Sequence, residues 1–325
     1  MLKNGDPDWT QIGYSNAPQS ILNDFEYSKY IYDNWDMTKT SMGQALPQDA
    51  KTKLRYMPLV DTQNITSMRQ AFESCALLEY IPLLDTSNVT DMVQTFHYCS
   101  ISSVPLLDTS KVTDMTNLFY SCRKLTSIPL FDTHNVKNMS FAFYYCDKLT
   151  SIPLLDTSNV NLMNHTFEFC TSLDSIPLLD TGKVTEMTSM FSACNKLANI
   201  PLLDTSNVTR MNNAFSSCTK LTSIPLLDTS NVTFMNGMFT GCSKLASVPV
   251  LDTKNVTAMG RMFSACPALS NESLNNILAM CINAVQITST YKNLNFVGLS
   301  PAQATTCQSL SNYQAFLDAG WTTGY

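Results

Sequence analysis

The chain has 325 residues, of which 44% are hydrophobic and only 14% are charged, and its formal net charge is −6. Charged residues make up about 25% of an average soluble protein, so Ser, Thr and Asn must cover much of this surface. Since no acidic or basic block occurs, we exclude a nucleic-acid binder held by phosphate contacts.

Residues 1–37 precede the repeats that fill most of the chain, and we predict that they form an N-terminal cap or docking segment. Pro18 is placed to begin a helix there. Its apolar residues are Ile21, Leu22, Phe25 and Tyr32, with Trp9 and Trp35 nearby. The segment lacks the apolar run of a signal peptide and an early lipid-accepting cysteine. No stretch of the chain approaches the roughly 18 apolar residues of a membrane span.

A unit of 24 residues recurs from residue 38 to residue 270. The pattern L-x-x-[IVM]-P-[LV]-[LVF]-D-T-x-[NK]-[VI]-x-x-M-x-x-x-F-x-x-C describes nine units, with one step of 23 residues. The ten residues IPLLDTSNVT stand unchanged at 81–90, 200–209 and 224–233. A degenerate unit precedes them, with Met42, Leu46 and Leu54 for Met, Phe and Leu and with Asp49 in place of Cys.

Two periods alternate within each unit. Apolar residues at steps of 3, 4, 3 and 3 predict a short helix with one buried face, as at Val136, Met139, Phe143, Cys146 and Leu149. The Ile-Pro-Leu-Leu-Asp segment predicts a short strand that begins at or after the proline. Such a unit cannot bury its apolar face alone, so we predict an α/β solenoid of about ten stacked strand-helix units.

Residues 271–325 depart from the repeat, and we predict that they form a C-terminal helical cap. One helical stripe consists of Leu274, Ile277, Leu278 and Cys281. Ser300 and Gln303 have the spacing of a capping box, with Pro301 at the first helical position. Ser311 and Gln314 repeat that spacing before Gly320, which predicts a second box.

The repeat resembles a known family in two places. L-x-x-I-P-L-L-D resembles the strand segment of leucine-rich repeats, and M-x-x-x-F-x-x-C-x-x-L resembles the signature of the BspA-like leucine-rich repeat surface proteins. The resemblance covers residues 38–270 and implies a right-handed, non-catalytic solenoid used in bacterial adhesion. Such repeats are also similar to those of tail and fibre proteins of phages that infect gut bacteria.

We expect no catalytic site, cofactor or bound metal. The chain has no nucleophile elbow, phosphate loop or metal motif. The cysteines from Cys75 to Cys266 recur once per unit on the predicted buried stripe, where Cys acts as a small hydrophobe. The Asp column that runs from Asp61 to Asp252 has three interpretations: each carboxylate bonds its own turn, cations bridge neighbouring units, or the column meets a partner.

Aromatic residues concentrate on the predicted outer helical face and form a candidate partner-contact patch. Its members are His97, Tyr98, Tyr120, Phe141, Tyr144, Tyr145, His165 and Phe169. Later units carry Ser, Ala, Thr and Gly at these positions, and neutral variation of a solvent-exposed face is the alternative interpretation. The histidines lack close ligand spacing.

A second candidate contact surface is an apolar column on one face of the predicted sheet. Its members are Leu84, Leu107, Phe131, Leu155, Leu179, Leu203, Leu227 and Leu251. Strand alternation places either this column or its neighbour, which includes Leu83, Leu106 and Leu130, on the outer face. The outer column is either covered, including by a second copy of the chain, or open as an apolar groove.

The sequence favours a binding or structural function. Since no export signal is visible, the first interpretation is a recognition or attachment protein of a phage virion, made in the host cytoplasm. The alternative is a bacterial cell-surface adhesin of the BspA-like type, and the third is an architectural spacer or shell protein. The expected partners are virion or surface proteins, with a host-surface protein, a glycan or a second copy also open.

Overall fold

The computed structural model describes residues 19–324, with side chains described from residue 26. Pro18 and Trp9 therefore lie outside the described residues, as do the side chains of Ile21, Leu22 and Phe25. The chain divides into two compact units, Met1–Leu149 and Thr150–Tyr325. Each unit contains several of the 24-residue repeats, which are called rungs below, stacked in parallel.

The first unit begins with three helices, α1 (Gln19–Asp33), α2 (Met42–Ala45) and α3 (Ala50–Lys53). Trp35 Nε1 donates to the Asp61 carbonyl at 2.7 Å and ties the segment after α1 to the first complete rung. Met42, Leu46 and Leu54 are buried, so the degenerate unit contributes to the core as predicted. Asp49, which replaces cysteine, is exposed and binds Lys53 at 2.8 Å.

The core is built from stacked columns of identical side chains. Val136, Met139, Phe143, Cys146 and Leu149 are each no more than 1% exposed, which confirms the predicted buried stripe. Phenylalanine rings stack from rung to rung with centroids 5.1–5.6 Å apart in the first unit and 5.5–5.8 Å apart in the second.

The predicted helix of each rung is wrong. Among the described residues no helix lies between α3 and residue 271. Each rung instead has two residues with positive φ, four apart, such as Ser189 at 52° and Ala193 at 59°, and a right-handed helix requires negative φ throughout. A helix of two turns is only marginally stable. Apolar residues spaced by three and four positions can also be buried by a series of turns.

Backbone hydrogen bonds alternate between the rung and its neighbour. Phe191 N–H donates to Ala214 of the next rung at 2.9 Å, and Ala193 N–H donates to Ser216 at 2.7 Å. Between them, Ser192 N–H donates back to Ser189 at 3.1 Å. In this part of the rung, every second backbone N–H therefore donates to the next rung. These bonds satisfy the donors that a helix would have paired internally.

The predicted strands are also wrong, since the described residues contain only isolated parallel bridges. Most of these bridges join successive rungs just before the methionine column, for example at Glu186 and Arg210. At the proline, Leu155 N–H donates to the Pro153 carbonyl at 2.9 Å, which closes an inverse γ-turn centred on Leu154. The same bond recurs after Pro177, Pro201 and Pro225. This bond occupies a backbone N–H that a β-ladder would need, and the γ-turn bends the segment where a strand would be extended.

The second unit ends in helices α4 (Asn271–Asn283), α5 (Leu294–Val297), α6 (Pro301–Cys307) and α7 (Tyr313–Asp318), with a 3₁₀ turn at Ser289–Tyr291. The stripe Leu274, Ile277, Leu278 and Cys281 is fully buried, as predicted. The α5 segment closes the last rung, because Arg261 and Phe263 donate to the Phe296 and Val297 carbonyls.

One of the two predicted capping boxes is confirmed. Ser300 and Gln303 form the box at the start of α6, with Pro301 at its first position. The second box is wrong, because Ser311 donates its hydroxyl to Asn275 and Gln314 binds Asp318. The division of the chain into residues 1–37, 38–270 and 271–325 stays a prediction.

Candidate interaction surfaces

Six of the predicted patch residues pack against one another on the surface of the first unit. We call them the aromatic cluster: His97, Tyr98, Tyr120, Phe141, Tyr144 and Tyr145. Tyr120 and Tyr144 stack with centroids 4.6 Å apart and planes 19° apart. His97 lies 4.4 Å from Tyr98 and 4.8 Å from Tyr120. Tyr98 is 52% exposed and the others are half-buried.

The backbone of the turns directs this cluster outward. Tyr98, Phe141 and Tyr145 occupy positive-φ positions, with φ between 56° and 59°. A bulky residue is uncommon in this conformation. In the second unit the position of the two tyrosines holds Ala193 and Gly241, and the position of Phe141 holds Ser189 and Gly237. The large side chains are therefore held there against the local preference of the backbone.

The rings of the aromatic cluster lie beside two charged side chains, Glu73 and Arg123. Burial, with the neighbouring Tyr144 and Tyr98, raises the pKa of Tyr120 to about 12, so its phenol is protonated at neutral pH. Burial lowers the pKa of His97, against the opposing influence of Glu73, whose carboxylate lies 3.5 Å from the ring. The Arg123 guanidinium lies 4.7 Å from the centroid of Tyr145, a cation–π contact.

The other two predicted patch residues belong to the second unit. His165 and Phe169 are half-buried and have φ of 58° and 62°. His165 Nδ1 lies 2.5 Å from the Glu168 carboxylate. Their role in partner contact stays a prediction.

The predicted sheet-face column does not lie on the surface. Its members are 0–4% exposed, from Leu84 at 3% to Leu251 at 0%. The neighbouring column is exposed instead: Leu59, Leu83, Leu106 and Leu130 in the first unit, and Leu154, Leu178, Leu202, Leu226 and Val250 in the second. In the six rungs from Pro105 to Pro225 a γ-turn follows the proline and turns the next residue outward. The prolines were the signal that could have shown this from sequence.

In an Asp-Thr-Ser-Asn segment, hydrogen bonds form within the turn and to both neighbouring rungs. Asp204 accepts from the backbone N–H of Ser206 at 3.0 Å and from its hydroxyl at 2.7 Å. Thr205 donates to the Asp228 carbonyl of the next rung at 2.7 Å. Asn207 donates to the Gly182 carbonyl of the previous rung at 2.7 Å. The turn-bonding interpretation of the Asp column is therefore the one that the structure describes, and the identical decapeptides reflect identical neighbours.

The cysteine column is buried and its thiols are free. Cys218 Sγ lies 3.2 Å from the Phe191 carbonyl, with the geometry of an S–H donor. Burial raises the pKa of the Cys218 thiol to about 12. Among residues 26–324, no group of three His, Cys, Asp or Glu side chains converges to hold a metal ion.

In the described part of the chain, the helices are all too short or too polar to cross a bilayer.

Comparison with known families gives one match that covers most of the chain. The family described as "Mycoplasma protein of unknown function, DUF285" matches four overlapping stretches, residues 40–151, 96–201, 126–223 and 185–294. No curated protein matches the chain.

Several solved structures are similar to the chain. A leucine-rich repeat protein from T. pallidum is 23% identical, covers 55% of this chain and 81% of its own, and has a TM-score of 0.45. One from Eubacterium ventriosum is 17% identical, with coverages of 68% and 78% and a TM-score of 0.35. A leucine-rich cell surface protein from Faecalibacterium prausnitzii is 20% identical, with coverages of 61% and 73% and a TM-score of 0.27.

Proposed function

Because the chain belongs to the family described as "Mycoplasma protein of unknown function, DUF285", whose description assigns no activity, we propose a function from the molecule itself. The protein is a non-enzymatic recognition protein of the bacterial cell surface, and it binds a partner protein through the aromatic cluster of its first unit. The contact between rings of three successive rungs is the observation that carries this proposal.

The composition of the cluster supports contact with a protein. Tyr and Arg are enriched where binding energy concentrates in protein interfaces, and the cluster combines four tyrosines with the nearby Arg123. A tyrosine ring offers a large apolar face at small cost in side-chain entropy, and its protonated hydroxyl donates a hydrogen bond. Tyr120, with its pKa near 12, keeps that donor throughout the physiological range.

The BspA-like repeat signature supports the cell surface as the location. A low content of charged side chains and the many Ser, Thr and Asn residues around the rungs suit a surface that meets other macromolecules without strong electrostatic steering. The phage virion role and the architectural role stay predictions, and no contact among the described residues favours them over recognition.

Binding is tested with purified full-length chain against immobilised host-surface proteins and, in a separate arm, host glycans. We expect saturable binding to protein, weakened at least tenfold when Tyr98 and Tyr144 are both changed to Ser, because each residue is a candidate hot spot worth about 2 kcal/mol. Lys220→Ala, at an exposed position of the second unit, is the control and should bind normally. Unchanged binding by the double variant would refute the proposed site, and binding only to glycan would replace the partner class.

Location is tested separately on intact cells that express the chain. We expect a membrane-impermeant amine label to modify the exposed Lys220 in intact cells to the extent seen with purified protein. Labelling only after lysis, or recovery of the chain in purified phage particles, would overturn the cell-surface part of the proposal and leave the binding result standing.

A further inference from the structure

The second unit has an exposed aliphatic column in addition to the surfaces assigned so far. We call it the leucine ladder: Leu154, Leu178, Leu202, Leu226 and Val250. The four leucines are 61–64% exposed and the valine is 40% exposed. Each leucine lies at the centre of the γ-turn after proline, which holds it outward. Soluble monomers rarely expose a contiguous apolar strip without a partner.

The uniformity of the ladder limits which partner can cover it. Parallel rungs repeat at about 4.8 Å. A strand lying along the ladder would present same-face side chains about 6.7 Å apart, and a helix would present one per turn of about 5.4 Å. Both lose register within a few rungs. Another array of the same rungs has the same period and carries leucine at the same places.

We propose that the leucine ladder is the interface with a second copy of this chain. In a closed dimer each ladder meets the other along a two-fold axis, and the same surface serves both copies. A uniform column suits this contact, since no variation from rung to rung is needed to read a different ligand.

Charge selects the direction of the two ladders. An aspartate stands two residues after each ladder residue, and Asp204 and Asp228 are exposed and held ionised by hydrogen bonds from Ser206 and Ser230. A two-fold axis perpendicular to the ladders would make them antiparallel and would place the two Asp columns against each other. An axis along the ladders places each Asp column against the edge that precedes the ladder residue, where Thr150, Ala198, Thr222 and Ala246 are uncharged and Asp174 is the one carboxylate. Like charges in contact are unfavourable, so the ladders run parallel and each rung faces its own copy.

The dimer is tested by sedimentation of the purified full chain over a range of concentrations. We expect a dimer with a dissociation constant at or below about 100 µM. Leu202→Asp should raise that constant at least tenfold. Asn161→Asp adds the same charge at an exposed position outside the ladder and should leave the dimer intact. Circular dichroism is the check that both variants are folded. A monomer throughout the range, or a dimer that Leu202→Asp does not weaken, would overturn the proposal.

Cross-linking tests the direction. The native cysteines are buried, so an introduced surface cysteine is the reactive thiol. In the parallel arrangement Leu154→Cys faces its own copy and yields a disulfide-linked dimer on mild oxidation. In the opposite arrangement only the central Leu202→Cys does so, and that result would overturn the parallel dimer. Leu202→Asp combined with Leu154→Cys should abolish cross-linking.

Discussion

Gly237 and Gly241 occupy positions where other rungs hold larger residues at positive φ, at 62° and 76°. An added Cβ at Gly237 would lie 2.2 Å from Asn213 Oδ1. We expect Gly237→Ala to lower the free energy of unfolding by about 1–2 kcal/mol through the backbone alone, and by more until Asn213 moves. Urea unfolding in the native and Asn213→Ala backgrounds separates the two causes. Native stability of Gly237→Ala would contradict the assigned backbone.

The phenylalanine column gives a second prediction at the same scale. Phe191 is fully buried between Phe167 and Phe215, with ring centroids 5.5 and 5.8 Å away. Phe191→Ala should cost about 3–5 kcal/mol in the free energy of unfolding. Lys220→Ala, at an exposed position of the same unit outside the leucine ladder, is the control and should change it by less than about 0.5 kcal/mol. Similar losses for both would contradict the burial of one and the exposure of the other.

At the scale of the turn, the Asp column makes the rungs acid-sensitive. Hydrogen bonds from the serine two residues later hold the pKa values of Asp85, Asp108, Asp204 and Asp228 below their ordinary value. A depressed folded-state pKa contributes stability that is present above the unfolded pKa, near 3.9, and is lost as the pH falls through the folded value. We expect a steady unfolding temperature between pH 7 and 5 and a fall below about pH 4.

Removing the serine hydroxyls tests the cause of this acid sensitivity. Ser206→Ala with Ser230→Ala should partly flatten the fall, since two of the depressed carboxylates lose their hydroxyl donors and keep only the backbone N–H donors. Ser247→Ala, outside the Asp column of the same unit, should leave the profile unchanged. An identical acid profile for the double variant would show that other groups control the loss.

At this scale the sequence predicts burial better than it predicts backbone. The spacing of Val136, Met139 and Phe143 identifies the buried stripe correctly, because any conformation that returns to the core every three or four residues produces it. It cannot distinguish a helix from a series of turns whose alternate amides bond the next rung. The Ser300 box is predictable because its partners are three residues apart, whereas Ser311 is bound by Asn275, 36 residues away.

For the contact surfaces, too, the sequence predicts which residues form a set but not the local backbone conformation. The aromatic cluster was predictable as a set, since its members recur at outward positions of consecutive repeats. The choice between Leu154 and Leu155 was not predictable from alternation, because the γ-turn after Pro153 shifts the side chain that faces solvent. Alternation assumes an extended backbone, and proline removes that assumption locally.

For the whole molecule, the eleven cysteines provide a measure of integrity. All are buried and free, and burial raises the thiol pKa of Cys75, Cys99 and Cys266 to about 12. The thiolate is the reactive form, so we expect almost no reaction with a disulfide reagent at pH 8 until the chain unfolds, and then reaction of all eleven. Rapid reaction of several thiols in the folded chain would contradict the burial of the cysteines.

The hydrogen bonds of Thr205 and Asn207 have a consequence for how such a chain can change its length. Thr205 bonds the rung ahead and Asn207 the rung behind. The other rungs with the identical decapeptide make the same two contacts through Thr86 and Asn88 and through Thr229 and Asn231. Loss or duplication of 24 residues by recombination between the identical decapeptides at 200–209 and 224–233 would join one such junction to another and keep both hydrogen bonds. The repeats therefore allow inheritance to lengthen or shorten the protein without redesigning its core.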